Sequence, residues 1–214
     1  MMEPMHELLQ EAKKGGYGIP APNVYNRFTI EAALQAADEL KAPVILGCPG
    51  VFGIEEVGEL ARYYERKYPR VPFAVNLDHG GHNSVAMLRD PISAIRAGFT
   101  SIMVDRSMFP YEENLRMVAE IVPVAHSVGV SVEAELGHVG EGVDPTGSTH
   151  LTDPSEALDY IQRTGVDCLA VSIGTAHGAY ATGFVPKIDF DRLHEIKKVT
   201  NEFPLVMHGG SGTG

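Results

Sequence analysis

Short apolar runs alternate with longer amphipathic stretches along the whole chain, the pattern expected when buried parallel strands are joined by crossover helices. Seven segments read as strands: Tyr17 to Val24 (YGIPAPNV), Pro43 to Cys48 (PVILGC), Phe73 to Asp78 (FAVNLD), Ser101 to Asp105 (SIMVD), Ser131 to Leu136 (SVEAEL), Cys168 to Ile173 (CLAVSI) and Leu205 to His208 (LVMH). Helical periodicity marks Thr29 to Leu40, Ile54 to Lys67, Tyr111 to Val128, Pro154 to Thr164 and Phe190 to Val199. Glycine closes several helical stretches, at Ala97-Gly98, Val128-Gly129 and Thr164-Gly165, where it can take the left-handed backbone that ends a helix before the next strand. Polar residues gather at the C-terminal end of nearly every predicted strand, and no GxGxxG follows the first. The pattern therefore favours an α/β fold of the (β/α)8 TIM-barrel type, one domain over residues 1–214, rather than an open doubly wound sheet. Eight strands close such a barrel and about 250 residues are typical, so seven strands in 214 residues read as a barrel truncated after strand seven, with the eighth strand and closing helix outside this chain.

Composition narrows the function class. The chain is 44% hydrophobic and 21% charged, ordinary for a soluble globular protein,. A formal net charge of −11 and a pI near 5.2 argue against nucleic acid or an anionic membrane surface as partner, because either would favour a basic face,. The two cysteines, Cys48 and Cys168, form no CxxC or disulfide-type spacing, which fits a reducing cytoplasm,. The N-terminus is too polar and acidic for a secretory signal, and no stretch approaches the roughly 20 apolar residues that span a bilayer. A small-molecule partner is expected.

Three of the nine histidines lie at or just after predicted strand ends: His79 in NLDHGGH, His177 in SIGTAHGAY and His208 in VMHGGSG. In a parallel barrel those ends share one rim, so residues distant in sequence converge. A single histidine at a strand end is as readily a hydrogen-bonded structural residue. Three together, each beside glycines that let a ligand approach the backbone, point to a divalent metal, and three imidazoles are a common catalytic zinc set. Asp78, at the mouth of its strand, either orients a histidine or transfers a proton. Glu133 and Glu135 alternate to the same side of SVEAEL and, with Asp105, call for a cation or a partner; the alternative is an internal salt-bridge network with Arg106 or Lys41. The glycine turns at His177-Gly178 and His208-Gly209-Gly210-Ser211-Gly212 suit a phosphate cradle built from backbone N–H groups.

NLDHG, VEAELGHVG, IGTAHGAY and VMHGGSG, in that order and at those separations, resemble the class II (zinc-dependent) fructose-bisphosphate and tagatose-bisphosphate aldolases. The resemblance implies a (β/α)8 barrel, a homodimer or homotetramer, and reversible cleavage of a ketose bisphosphate into dihydroxyacetone phosphate and an aldehyde. By position, His79, His177 and His208 resemble the ligands of a catalytic Zn²⁺. Asp78 resembles the residue that exchanges a proton with the C4 hydroxyl, and Asp105 and Glu135 resemble ligands of a second cation, divalent or monovalent. Gly178, Gly209, Gly210 and Ser211 resemble the site of dihydroxyacetone phosphate, and Glu141 is the candidate for the loop acid that supplies the enediolate proton. The sequence departs from the family pattern at Gly47-Cys48-Pro49, where the family usually offers a Gln and a phosphate-contacting Ser. It departs also in the short loop from Val139 to Leu151 and at the chain end. Two other functions share these features: a metal-dependent hydrolase or isomerase on the same barrel, and a non-catalytic accessory or chaperone-like subunit of a sugar-phosphate aldolase.

Overall fold

Local capping chemistry sets where the crossover helices begin and end. Asn26 Oδ1 accepts hydrogen bonds from Phe28 N (3.0 Å) and Thr29 N (3.1 Å), while Thr29 Oγ1 accepts one from Asn26 N (3.3 Å). This reciprocal cap starts the helix Arg27–Leu40 two residues earlier than the apolar periodicity alone suggests,. Asp153 caps the helix Pro154–Thr164 through Ser155 N at 2.8 Å, and Pro154 occupies the first turn, where a missing N–H costs nothing. The glycines expected at helix ends take the left-handed backbone there, with φ of 87° at Gly98, 75° at Gly129 and 73° at Gly165.

The computed structural model describes residues 1–80, 86–140, 150–178, 180–211 and 213. In chain order the elements are α1 (Met5–Gly15), α2 (Arg27–Leu40), β1 (Val44–Pro49), a 3-10 turn (Gly50–Phe52), α3 (Ile54–Lys67), β2 (Phe73–Asp78), α4 (Ala86–Ala97), β3 (Ser101–Val104), α5 (Tyr111–His126), β4 (Ser131–Leu136), α6 (Pro154–Thr164), β5 (Cys168–Val171), α7 (Phe190–Val199) and β6 (Leu205–Val206). The fold is α/β, with six parallel strands of a (β/α) barrel following one another in chain order. Register is continuous from Val44↔Phe73 to Pro49↔Asp78 between β1 and β2, runs through Asn76↔Ser101 between β2 and β3, and through Leu169↔Leu205 between β5 and β6.

One expected strand is not formed as such. Tyr17 to Val24 lies along β1, but its only ladder contact is the isolated bridge Asn23↔Gly47. Pro20 O accepts from Ile45 N at 3.0 Å and Pro22 O from Gly47 N at 3.0 Å, and Val24 N donates to Gly47 O at 2.7 Å. Residues 20, 22 and 24 thus face β1, and two of the three are prolines with no N–H to give back. The segment follows the strand path with two of its three facing donors missing, which is why, among the described residues, six strands stand where seven are predicted.

By their contacts the described residues divide into two compact units, Met1–Asp105 with Ile121–Glu133, and Arg106–Glu120 with Ala134–Gly214. In the first, Leu46, Phe73, Val75, Leu77 and Ile102 from the strands are fully buried with Ile30, Leu34 and Val57 from the helices. Burial of each such side chain is worth about 1.5–3 kcal/mol, and this layer fixes the strand ends that carry Asp78 and His79. In the second, Leu169, Ala170 and Val171 of β5 are buried with Ala157 and Tyr160 of α6 and Ile196 of α7. Among the described residues no helix is long and apolar enough to cross a membrane.

Candidate metal centre

β2 ends at Asp78, and the chain turns at once onto β3. Gly80 N donates to Met103 O at 3.2 Å, and His79 N lies 3.4 Å from Met103 Sδ. To make this turn His79 takes φ +49°, a left-handed backbone that costs a non-glycine residue about 1 kcal/mol. The turn carries its ring to Asp105, with Nδ1 2.8 Å from Oδ2, and sets Nε2 3.8 Å from Asp78 Oδ1. An ionised Asp105 accepts from a protonated Nδ1, so Nε2 becomes the basic nitrogen. A carboxylate held against one imidazole nitrogen while the other carries the lone pair is the usual arrangement of a metal-binding histidine.

In the second unit the turns after β5 and β6 bring His177 and His208 together, with ring centres 5.7 Å apart and planes at 56°. Two imidazoles on one tetrahedral zinc, with Zn–N near 2.0–2.1 Å, have ring centres roughly 5 Å apart, so the pair fits adjacent ligand positions. Thr175 Oγ1 donates to His208 O at 2.7 Å, and Tyr180 Oη accepts from Ala176 N at 2.8 Å and shares its proton between Gly209 O and Ala176 O, each at 3.1 Å. Gly209 has φ +67°, and a Cβ there would stand 2.4 Å from Ala176 O, so only glycine lets the two turns come this close.

The acids of β4 are buried. Glu133 Oε2 accepts from Asn76 Nδ2 at 2.9 Å, within the first unit. Glu135 Oε1, in the second, accepts from Val139 N at 2.9 Å and lies 3.7 Å from His138 Nδ1. Asn114 Nδ2 donates to Glu135 O at 3.0 Å and Tyr160 Oη donates to Asn114 Oδ1 at 2.6 Å, pinning the end of β4. Lys41, one cation considered for these acids, is exposed at the end of α2; Arg106 is buried. Gly178 has φ +79°, and Gly210 and Ser211 are exposed. Glu141 and Gly212 lie outside the described residues.

Cys48 is fully buried. It pairs with Leu77 in the β1–β2 register, so strand alternation turns it to the side opposite Asn76 and Asp78. Burial, with a smaller push from the Asp78 carboxylate, raises its thiol pKa to about 12. It is a neutral packing residue.

Tyr180, Thr175, Asn114 and the Ser107 Oγ contact to His138 Nδ1 at 2.8 Å do not emerge from the sequence reading. Tyr180 closes the IGTAHGAY motif, which is the one sequence signal that could have drawn attention to it.

Parallel strands with histidines and carboxylates at their C-terminal ends define a (β/α)-barrel protein with the donor groups of a metal site. The model of the family described as fructose-bisphosphate aldolase class-II matches residues 3–214. The structure is similar to that of the YdjI aldolase from Escherichia coli K12, with 32% identity and a TM-score of 0.84, over 100% of this chain and 75% of that one. It shares its fold with the fructose-bisphosphate aldolase from Campylobacter jejuni, at 23% identity and a TM-score of 0.79, over 99% of this chain and 71% of that one. The chain belongs to the class II fructose-bisphosphate aldolase family.

Proposed function

We propose that the protein is a zinc-dependent aldolase that reversibly cleaves a ketose bisphosphate, fructose- or tagatose-1,6-bisphosphate, to dihydroxyacetone phosphate and glyceraldehyde 3-phosphate. The observation that carries this reading is the setting of His79, ring nitrogen on Asp105 and Asp78 alongside, in a chain that matches the family model along 3–214. His79, His177 and His208 are assigned to the ion by their places in NLDHG, IGTAHGAY and VMHGGSG, in a chain that matches the family model. A bound Zn²⁺ supplies Lewis acidity for the negative charge that develops on substrate oxygen as the carbon–carbon bond breaks.

The chain's own residues divide the remaining work. Asp78 accepts the C4 hydroxyl proton as its carboxylate, and Glu141 returns a proton to carbon. Backbone N–H groups at Gly178 and at Gly209-Gly210-Ser211 hold the phosphate of the dihydroxyacetone half. Asp105 and Glu135 serve a second cation, and Asp105 also orients His79. Because Cys48 is buried and neutral, the aldehyde half is recognised without it. A homodimer or homotetramer in the cytoplasm completes the proposal, consistent with the acidic charge and with two cysteines that are both buried.

The test is coupled detection of triose phosphate from each bisphosphate, before and after chelation. Triose phosphate that disappears on chelation and returns with Zn²⁺ supports the reading. Inorganic phosphate released without triose phosphate would move the protein to a metal-dependent hydrolase.

A further inference from the structure

Two hydroxyls that flank His177 in sequence reach across to the turn that carries His208. Thr175 Oγ1, two residues before it, donates to the carbonyl of His208 itself at 2.7 Å. Tyr180 Oη, three residues after it, accepts from Ala176 N at 2.8 Å and shares its one proton between Gly209 O and Ala176 O, each at 3.1 Å. Thr175 is 1% exposed, so its hydroxyl makes its bond away from competing water,. Gly209 seats its bare Cα on the Ala176 peptide, where a Cβ would meet Ala176 O at 2.4 Å. The backbone before His177 and after His208 is therefore tied across the gap between the two turns. The β5–β6 ladder itself ends earlier, at Ala170↔Val206; beyond it these contacts link the two turns, and His177 N donates to Gly140 O at 2.8 Å.

We infer that Thr175 and Tyr180 are positioning residues that set the two-histidine geometry for a metal ion, acting through the backbone of Ala176, His208 and Gly209. This rests on the metal reading above. Each hydroxyl can be removed with almost no change in shape, as Thr175→Val and Tyr180→Phe. Outer partners of ligating groups typically change metal affinity by about 10–100-fold when removed. A role confined to folding predicts something else, a lower melting temperature of apo and metal-loaded protein alike.

The experiment titrates chelated, purified protein with Co²⁺, following its visible absorption, and measures melting with and without the ion. The expected result is one Co²⁺ per wild-type chain, about 10-fold or more weaker binding with altered absorption bands in Tyr180→Phe and Thr175→Val, and a smaller rise in melting temperature on adding metal. Thr175→Ser, which keeps the hydroxyl, should restore wild-type affinity, and together with Tyr180→Phe it keeps the test open if Thr175→Val does not fold. Wild-type affinity and spectrum in Tyr180→Phe and Thr175→Val would overturn the inference while leaving the metal reading standing. A wild-type chain that takes up no Co²⁺ would overturn both.

Discussion

His79 Nδ1 and Asp105 Oδ2 lie 2.8 Å apart, both largely shielded from solvent. The contact favours a proton on Nδ1 and leaves Nε2 as the basic nitrogen, the one a proposed metal would take. Asp105→Ala removes that decision and lets the ring rotate. Zinc affinity should fall about 10–100-fold, measured by competition with a chromophoric chelator; unchanged affinity would show that the turn at His79 orients the ring without Asp105.

Asp78 and the histidines should separate experimentally. His79→Ala, His177→Ala or His208→Ala each removes a proposed ligand and should abolish both stoichiometric zinc and turnover. Asp78→Ala should keep the zinc and lose kcat by about 10²-fold or more, the scale of a positioned proton-transfer group. Metal analysis and steady-state rates on the same preparations check both. Loss of zinc in Asp78→Ala would make its contact near His79, 3.8 Å from Nε2, the more important one.

Asn114 joins the end of β4 to α6 by two buried hydrogen bonds, to Glu135 O and from Tyr160 Oη. Asn114→Ala removes both bonds, each worth about 0.5–1.5 kcal/mol net. Urea unfolding should show a loss of roughly 1–3 kcal/mol, and Tyr160→Phe, which removes one bond, roughly half of it. Equal losses in the two variants would mean that the Glu135 contact contributes little.

Cys48 gives the stability a pH dependence with a definite sign. Its thiol is raised from 9.0 to about 12 in the folded chain, so between those values the unfolded state releases a proton that the folded state keeps. Its contribution is complete below pH 9 and is lost as the pH rises towards 12. Stability should decline with pH above about 9, and more shallowly in Cys48→Ala, by denaturant midpoints from pH 8 to 11. Parallel slopes would place the effect on other groups, among them Tyr111, whose hydroxyl is also held above its ordinary range by burial and its bond to Asp159.

Much of the fold was legible because hydrophobic period and end signals agree in the same places. The extents expected for Ile54–Lys67, Pro154–Thr164 and Phe190–Val199 match α3, α6 and α7, where apolar faces, caps and flanking turns coincide. The strand from Tyr17 to Val24 was misjudged because its apolar pattern is right and its hydrogen-bonding capacity is not: Pro20 and Pro22 fall on the side that faces β1. The α1 helix, whose buried face is Met5, Leu8 and Ala12, is not among the helices read from the sequence. At the candidate site the acids and imidazoles announce themselves by residue type and place at strand ends. The groups that hold them, Thr175, Tyr180 and Asn114, act on backbone carbonyls, and nothing in a hydroxyl's or an amide's position along the chain says which distant carbonyl it will reach.

The left-handed backbone at His79 limits how this centre could be altered by descent or in the laboratory. Residues that tolerate that conformation are few: glycine, then asparagine, aspartate and histidine, with branched side chains such as valine or threonine strongly disfavoured. Of these only histidine and aspartate offer good metal ligands. A library randomised at position 79 should therefore return folded variants dominated by Gly, Asn and Asp, and aspartate is the ligand exchange the turn admits with least strain. Any drift in metal preference at this position would run towards oxygen-seeking ions, while a thiolate would have to arrive from another strand end.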